Sequence, residues 1–525
     1  MIAGAFESEP GHIYYVHPDG DDAGPGSEQR PWRSLDRIAD QDLRPGDRVQ
    51  LAAGASFHGS LQLGPRLCAS PQHPVVICGA ADAPARIIAP RDAPALAVRD
   101  AGGIELRHLE FIGPGATSGE HPGVAISASQ RGCRYRHVLI ADCQVHGFRK
   151  GGVVVWSEAE DAGFEDLRCE RVACHDNGQA GIDISGLRRA DGPHSHRRVA
   201  VVDCRCWHNH GDTRRRDNHT GSGIVVGGVD GGLVEYSSAW ANGSANSSDV
   251  GGPVGIWAWD SRAVTIQYCI SHHNRTGSSK DGGGFDLDGG CEECVVQFNL
   301  SYHNDGAGYL LCQYPGAQRF AGNTVRFNCS HDDGRRNGYG GIHLAAGAKQ
   351  PLCDTSIHNN TVVMHAADQA PAVVVVDGTA YADITIAGNC FIGVHAPLLR
   401  SRAEQGLRIV GNAWHEPGMG GAVYWGGRRF DQFDEWLATV GQERYDSRVV
   451  ALRGELGLTG IGRSPRITDP HALGDFACYV PRADSPLLGG GVALAGLGIT
   501  CPGRDLRGRV APAGILIGCC APDQA

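Results

Sequence analysis

Short apolar strands recur along most of this chain. The repeated motif is a glycine followed by two apolar positions that are separated by a variable one, written Gly-φ-x-φ-x. Alternation with period two predicts a strand with one buried face, and the glycine permits a backbone bend that a side chain would oppose. The motif begins at Gly123, Gly152, Gly181, Gly223, Gly255, Gly284, Gly308 and Gly341, with spacings of 29, 29, 42, 32, 29, 24 and 33 residues.

A second strand follows each motif at a similar offset and carries a column of small or amide residues. Two or three short strands per repeat, repeated this often, predict an all-β parallel β-helix, a solenoid in which each coil stacks on the last. Stacked coils place equivalent side chains roughly 4.8 Å apart, so we expect inward Asn ladders, with the cysteines as small buried fillers. The column contains Cys143, Cys204, Ser237, Cys269, Asn299, Asn328, Asn360, Asn389 and Asn412.

Other solenoids fit the pattern less well. The Leu-rich consensus of leucine-rich repeats is missing, and a helical solenoid would show period 3.6 in place of two. Two amphipathic segments, WRSLDRIADQ and DQFDEWLATVG, predict short helices near the ends. A solenoid needs caps because its terminal coils would otherwise expose an unpaired sheet edge. We therefore predict an N-terminal cap and first coil over 1–60, coils over 61–413, and degenerate coils with an irregular C-terminal cap over 414–525.

Composition limits the partners. The net charge of −11 comes without a run of five like charges, which argues against a nucleic-acid partner. No apolar run is long enough to span a membrane. The start, MIAGAFESEPGHIYYV, lacks the features of a signal peptide, which predicts a cytoplasmic protein, or a secreted or periplasmic one whose signal was removed. Since a capped solenoid needs no partner chain, we expect a monomer.

The variable positions of the motif should form two columns on the outer face of one sheet. In neighbouring coils this brings Trp257 and Trp259 beside Asp286 and Asp288. Indoles stack on the apolar faces of sugars, and carboxylates supply the acid, base or nucleophile. The alternative is that both tryptophans only cover the sheet beneath the loop 242–253. The two aspartates should have Cα atoms roughly 6.6 Å apart, which suits either stereochemistry of glycoside hydrolysis.

Further charged residues lie near these columns. Asp281 and Asp305 each precede a motif glycine by three positions, so they should lie roughly 5 Å apart in adjacent coils. They either bind a cation such as Ca²⁺ or cap turns, and Lys280 could neutralise the pair. The segment 212–223 carries Arg216 and His219, which would suit an acidic sugar, although a solvated charged loop explains them equally well.

Three metal-like strings are weak. Cys291 and Cys294 form a CxxC without the second half of a zinc site. The pairs His272 with His273 and His208 with His210 fall where coils turn. They repeat turn chemistry also seen at His175, His303 and His331. We therefore predict turn residues at all of these histidines.

Two segments carry a family resemblance. The opening, from YYVHPDGDD to ASFHG, resembles the cap and first coil of right-handed parallel β-helix proteins that act on polysaccharides. The coils from Gly223 to Gly308 are similar to family nine polysaccharide lyases, pectate-lyase-like proteins in which a turn ending Gly-Phe-Lys-Leu carries a lysine base beside aspartates that hold Ca²⁺. The matching string here is GFDL, with Asp286 at the lysine position, and the coil GIWAWD has lost the calcium aspartates.

The resemblance implies a carbohydrate-active protein with a polysaccharide or oligosaccharide as its substrate. We favour hydrolysis of glycosidic bonds, because an aspartate is a poor base for proton abstraction next to a uronate carboxylate. Asp286 and Asp288 would divide the acid and the base or nucleophile roles, and Trp257 and Trp259 would form a sugar platform. The subsites would be lined by Arg216, His219, Lys280, His343 and Asp183. In a lyase, the alternative, Lys280 would be the base and Asp281 with Asp305 would hold Ca²⁺. A non-catalytic glycan-binding solenoid is the third hypothesis.

Overall fold

The computed structural model describes residues 11–67, 69–187, 192–347, 349–369, 371–417, 421–511 and 515–523. Its Cα positions divide into two compact units, one of Met1–Gly178 with Ile182–Cys204 and one of Gln179–Gly181 with Arg205–Ala525. Across the described ranges, no helix is both long and apolar enough to pass through a bilayer.

The N-terminal unit contains one short helix and parallel strands in three sheets. Helix α1 (Leu35–Ala39) begins at the N-cap residue Ser34, whose hydroxyl accepts from the N–H of Arg37 at 3.2 Å. The strands are β1 Ile13–Val16, β2 Arg48–Leu51, β3 Ser56–His58, β4 Leu61–Leu63, β5 Val75–Cys78, β6 Ala85–Ile88, β7 Leu96–Arg99, β8 Ile104–Arg107, β9 Leu109–Ile112, β10 Val124–Ala128, β11 Arg134–Ala141, β12 Gln144–His146, β13 Val153–Ser157, β14 Gly163–Glu170, β15 Ala173–His175, β16 Ala180–Ser185 (residues 182–185 in this unit) and β17 His196–Val202.

The C-terminal unit repeats the pattern and then loses it. Helix α2 (Phe433–Val440) ends at Gly441, whose left-handed backbone favours glycine. Two 3₁₀ helices follow at Pro470–Asp475 and Leu494–Leu497. The strands are β18 Arg205–Trp207, β19 Ser222–Gly227, β20 Val229–Glu235, β21 Ser238–Trp240, β22 Val254–Trp259, β23 Arg262–Gln267, β24 Ile270–His272, β25 Gly283–Leu287, β26 Val295–Gln297, β27 Leu300–Tyr302, β28 Tyr309–Gln313, β29 Thr324–Arg326, β30 Cys329–His331, β31 Gly340–Ala346, β32 Leu352–His358, β33 Thr361–His365, β34 Ala372–Gly378, β35 Tyr381–Ala387, β36 Cys390–Val394, β37 Leu399–Ser401, β38 Leu407–Val410, β39 Ala413–His415, β40 Val423–Trp425, β41 Arg428–Phe430, β42 Arg444–Tyr445, β43 Arg448–Val449 and β44 Leu452–Arg453.

In both units each sheet takes about every third strand, so one coil contributes one strand to each of three sheets. In the C-terminal unit one sheet, called the middle sheet here, has the strand order β19-β22-β25-β28-β31-β34-β37-β40-β41. Only its last pair of strands is antiparallel. A second sheet of this unit has the strand order β18-β21-β24-β27-β30-β33-β36-β39-β44. The predicted parallel β-helix and both predicted helices are confirmed. The predicted role of Cys143, Cys204 and Cys269 is also confirmed, since all three are buried and form no disulfide.

Two buried asparagine ladders run inside the coils of the C-terminal unit. In each, the backbone N–H and the side-chain amide of one residue donate to the side-chain oxygen of the next, at 2.8 to 3.3 Å. Both ladders end on a buried carboxyl group. The first contains Asn299, Asn328, Asn360, Asn389 and Asn412 and ends at Glu443. The second contains Asn209, Asn242, Asn274 and Asn304 and ends at Asp333.

Candidate active site

The predicted outer column lies on the middle sheet of the C-terminal unit. Its members are register partners in successive coils, in the order Val225, Trp257, Asp286, Leu310 and His343. The residues that alternate with them, Ile256, Phe285 and Leu311 among them, are fully buried in the solenoid core. Period two therefore places the column on the opposite face of the sheet. The vertical alignment predicted from the spacing is confirmed.

The column is covered, which the sequence did not predict. Trp257, Asp286 and His343 expose only 4%, 4% and 5% of their surfaces. Two side chains from irregular segments pack over them. The ring of His219 meets Trp257 edge-on at 5.0 Å, and the ring of Tyr339 lies 4.9 Å from that of His343. The sequence predicts carboxylates that are open to solvent on this face, but the turns that carry His219 and Tyr339 fold back over the sheet.

Asp286 is the most isolated acid of the group. Its Oδ1 is buried and has no hydrogen-bond partner among the described residues. Burial raises its pKa well above the usual value, and the neighbouring carboxylates of Asp288 and Asp281 raise it further. This environment favours the protonated form of the carboxyl group.

Asp288 is partly exposed and has two donors. The N–H of Gly289 donates to its Oδ1 at 2.8 Å, and the thiol of Cys312 is also hydrogen-bonded to it. Burial nevertheless raises the pKa of Asp288 to about 7, with a further contribution from the charge of Asp281. A carboxyl group that titrates near neutrality is able to give or take a proton under physiological conditions.

Asp281 accepts two hydrogen bonds. The Tyr339 hydroxyl donates to its Oδ1 at 2.8 Å, and the N–H of Gly252 donates to its Oδ2 at 2.8 Å. Burial raises the pKa of Asp281, whereas these two hydrogen bonds and the positive charge of Lys280 oppose the rise. Hydrogen bonds to a carboxylate favour its ionised form, so Asp281 is the member of the cluster best suited to carry the negative charge.

His343 is held from outside the cluster. Its Nε2 lies 3.3 Å from Oδ2 of Asp377, whose Oδ1 lies 3.4 Å from Nε of Arg402. The hydrogen bond with His343 lowers the pKa of Asp377. Within the described part of the chain, Nδ1 of His343 is buried and has no partner. This leaves one ring nitrogen of His343 for a ligand.

The two tryptophans have different environments. Trp257 donates from Nε1 to the Ser222 hydroxyl at 3.3 Å and belongs to an apolar cluster with Val225 and Val254. Trp259 is only partly buried and lies over Gly227, where an added Cβ would be 2.2 Å from the indole nitrogen. Trp257 is thus buried in the cover of the sheet, whereas Trp259 packs against the same cluster but remains partly exposed.

The remaining predicted residues have other surroundings. Lys280 and Arg216 are exposed in turns. Asp183 lies on β16 in the N-terminal unit, where the hydroxyl of Ser185 donates to it. Asp305 accepts from the N–H of Thr276 in the preceding coil at 3.1 Å.

Asp305 also faces two guanidinium groups, Arg275 at 3.3 Å and Arg336 at 3.7 Å. Its carboxylate is therefore already neutralised, while Asp281 bonds to Tyr339 and Gly252 instead. These contacts, all of them with other coils, fit neither a Ca²⁺ pair nor a local turn cap at Asp305.

Sequence reasoning missed three residues of the site: Tyr339, Cys312 and Asp377. Tyr339 lies 58 residues from its partner Asp281, in a turn without motif periodicity, so spacing gave no signal for it. Cys312 and Asp377 follow outward column positions of their own coils, at Leu310 and Val375, by two residues each. The column rule had already placed Cys312 beside Asp288 without assigning it a role, and the same rule applied to the coil of Val375 would have found Asp377.

Comparisons with known proteins agree with the fold. Residues 122–328 match the family described as "Right handed beta helix region", which gives the hand of the solenoid. No curated protein matches the chain in sequence. Among solved structures, the native GH136 lacto-N-biosidase from Eubacterium ramulus superimposes with a TM-score of 0.53 at 21% identity, covering 69% of this chain and 65% of that one. Its selenomethionine derivative gives 0.52 at 18% identity, covering 79% and 68%. Pectate lyase Pel9A gives 0.45 at 13% identity, covering 96% and 98%.

The chain thus spans just under two thirds of the length of the native lacto-N-biosidase structure. Likeness at this level of identity establishes a right-handed parallel β-helix and leaves the chemistry to the residues of the site.

Proposed function

We propose that the protein hydrolyses glycosidic bonds of a polysaccharide or oligosaccharide at the cluster of Asp281, Asp286 and Asp288. The observation that carries the proposal is the proximity of three carboxyl groups whose pKa values are all raised, on the outer side of a β-helix. Carboxyl groups whose environments separate acid from base are the machinery of glycoside hydrolysis.

The roles follow from the surroundings of each acid. Asp288 is protonated below pH 7 and more exposed than Asp286, so it donates the proton to the glycosidic oxygen while the bond from C1 to that oxygen breaks. Water then adds to C1, and its proton goes to an ionised carboxylate of the cluster. Asp286 and Asp288 share one negative charge, because two neighbouring carboxyl groups resist double ionisation.

The substrate class has separate support. Trp259 offers a partly exposed indole beside the acids, which suits the apolar face of a sugar ring. The solved structure with the TM-score of 0.53 is a lacto-N-biosidase by name, a protein that acts on a glycan. Both observations favour a carbohydrate ligand for this site.

The lyase alternative has weaker support. It needs Lys280 as the base, but this side chain is exposed in a turn beside Asp281. It also needs a cation between Asp281 and Asp305, where Arg275 and Arg336 already neutralise Asp305. The non-catalytic hypothesis gives no role to the raised pKa values of the three neighbouring acids.

The test is product analysis on a panel of neutral and uronate-containing glycans, with Asp288→Asn as the matched inactive control. Hydrolysis yields new reducing ends without ultraviolet absorbance, and we expect this result. Elimination would yield an unsaturated product that absorbs in the ultraviolet and would overturn the proposal in favour of the lyase. Glycan binding without any product would favour the non-catalytic solenoid.

A further inference from the structure

A second cluster of chemically active side chains lies on a different sheet, where β30 and β33 end. These strands are adjacent in the stack, and they finish with His331 and His365. Asp332 follows His331 in a left-handed backbone conformation, with φ of 49°. That turn brings its carboxylate between the two imidazoles. The cluster shares no residue with the carboxyl site on β25.

The distances within the cluster match a small metal site. Oδ1 and Oδ2 of Asp332 lie 3.0 and 3.1 Å from Nδ1 of His365, and Oδ2 lies 3.5 Å from Nε2 of His331. All three ligand atoms lie within 4.8 Å of one another. A tetrahedral ion with bonds of about 2.0 to 2.1 Å separates its ligand atoms by about 3.3 Å. The distances from the Asp332 carboxylate are close to this value, so the three side chains need to move only slightly to bind an ion.

The tautomer of His331 is set by the C-terminal cap. Its Nδ1 is hydrogen-bonded to the Tyr479 hydroxyl, which itself donates to the carbonyl oxygen of Arg463 at 3.3 Å. The Tyr479 oxygen therefore accepts from Nδ1–H, which leaves the lone pair of His331 on Nε2. That atom faces Asp332 and, at 3.2 Å, the hydroxyl of Ser464. Orientation of a metal-binding imidazole by a hydrogen bond at its other nitrogen is typical of metal sites.

The surroundings leave the ligands available. His331 and Asp332 are buried, whereas the side chain of His365 is 35% exposed and gives access from solvent. Arg335 lies 3.8 Å from Oδ1 of Asp332, which is beyond hydrogen-bond distance and leaves lone pairs on the carboxylate. The ring of His303 packs edge-on against His331 at 5.4 Å and supports its position.

We propose that His331, Asp332 and His365 bind a divalent transition-metal ion of the Zn²⁺ class, with the Ser464 hydroxyl or a water as the fourth ligand. Two imidazoles and one carboxylate are a ligand set that such ions prefer, whereas Ca²⁺ takes oxygen ligands. Since Ser464 and Tyr479 belong to the C-terminal cap, the ion ties the cap to the coils.

The experiment uses the full-length protein after removal of metal by a chelator. Zn²⁺ alone is titrated by calorimetry, and thermal unfolding is followed with and without Zn²⁺. We expect one equivalent to bind and the melting temperature to rise, because an ion that binds only the folded state stabilises it. Co²⁺ serves as a spectroscopic probe and should give the visible absorption of a tetrahedral site, whereas Ca²⁺ should not displace either ion.

Two variants and one control make the result decisive. His365→Ala changes a partly exposed residue, so it should fold, and it should lose at least tenfold in Zn²⁺ affinity together with the Co²⁺ band. Asp332→Asn should do the same. His415→Ala is the matched control, because His415 also ends a strand of this sheet and is partly exposed. If His365→Ala binds Zn²⁺ as tightly as the wild type, or if His415→Ala weakens binding equally, the assignment is overturned.

Discussion

Trp257 and Asp286 are register partners on adjacent strands, and each exposes only 4% of its surface although both lie on the face opposite the solenoid core. An indole in this place shields the carboxyl group from water, and loss of hydration is the largest contribution to the raised pKa of Asp286. The pairing thus links a packing feature of the fold to the chemistry proposed for the site.

The first prediction concerns turnover. Asp288→Asn keeps the shape of the side chain but removes the proton that it would give to the leaving group, so we expect the hydrolysis rate to fall by about 10² to 10⁴. The rate is measured on the best glycan of the panel. Asp354→Asn is the control, because Asp354 is exposed and its left-handed backbone also suits asparagine. Equal activity of the two variants would remove Asp288 from the mechanism.

The second prediction concerns the pH dependence of activity. A general acid with a pKa of about 7 loses its proton as the pH rises. We therefore expect kcat/KM to fall above pH 7 and to be higher at pH 6 than at pH 8. A lysine base would produce the opposite trend, because it becomes active on deprotonation. A profile that climbs steadily through pH 8 would exclude Asp288 as the acid.

The third prediction concerns stability. The folded-state pKa of Asp288 is raised from 3.8 to about 7, so its contribution to stability is fully present below pH 3.8 and is lost as the pH rises to 7. Each pKa unit corresponds to about 1.4 kcal/mol. Asp288→Asn should therefore unfold at a higher temperature than the wild type at pH 8 and show little gain at pH 4. A gain that is equal at both pH values would contradict this account.

The fourth prediction tests the sugar platform without deleting it. In Gly227→Ala the new Cβ would lie 2.2 Å from the Trp259 indole nitrogen, so the ring must move. We expect KM to rise severalfold with little change in kcat, as when binding is lost equally from the ground state and the transition state. Gly64→Ala is the control, since its nearest neighbour is 3.8 Å away. Unchanged KM in Gly227→Ala would remove Trp259 from the binding site.

The fifth prediction concerns the ladders. Asn328→Ala removes two hydrogen bonds that Asn299 donates and two that Asn328 donates, all of them buried. Buried groups left without partners cost about 1 to 3 kcal/mol each, so the free energy of unfolding should fall by about 3 kcal/mol or more in chemical denaturation. Asn218→Ala, at an exposed position, should change it by less than about 0.5 kcal/mol.

The repeat made the solenoid, the ladders and the outer column predictable, because period two and the coil spacing together fix which residues stack. The cover over Asp286 was not predictable. His219 covers Trp257 and Tyr339 covers His343 in the same column, and both lie in irregular turns whose path has no period. For the same reason, sequence reasoning assigned His331 to turn chemistry alone and did not single out His365.

Ser464 and Tyr479, which complete the second cluster, belong to the C-terminal cap. They lie more than 130 residues from His331 in sequence. A signal did exist within the coils themselves. Asp332 and His365 are separated by 33 residues, which equals the local coil spacing from Gly308 to Gly341.

The asparagine ladders have a direction. Every asparagine donates twice to the next residue of its ladder, and every asparagine after the first accepts twice from the one before, so a coil copied within the array would find both neighbours it requires. The carboxyl groups of Glu443 and Asp333 accept the last hydrogen bonds of the two ladders, and no described asparagine continues either ladder beyond them. A duplicated coil is therefore compatible with its neighbours anywhere within a ladder, whereas each ladder ends at its acid even where coils continue, as they do beyond Asp333.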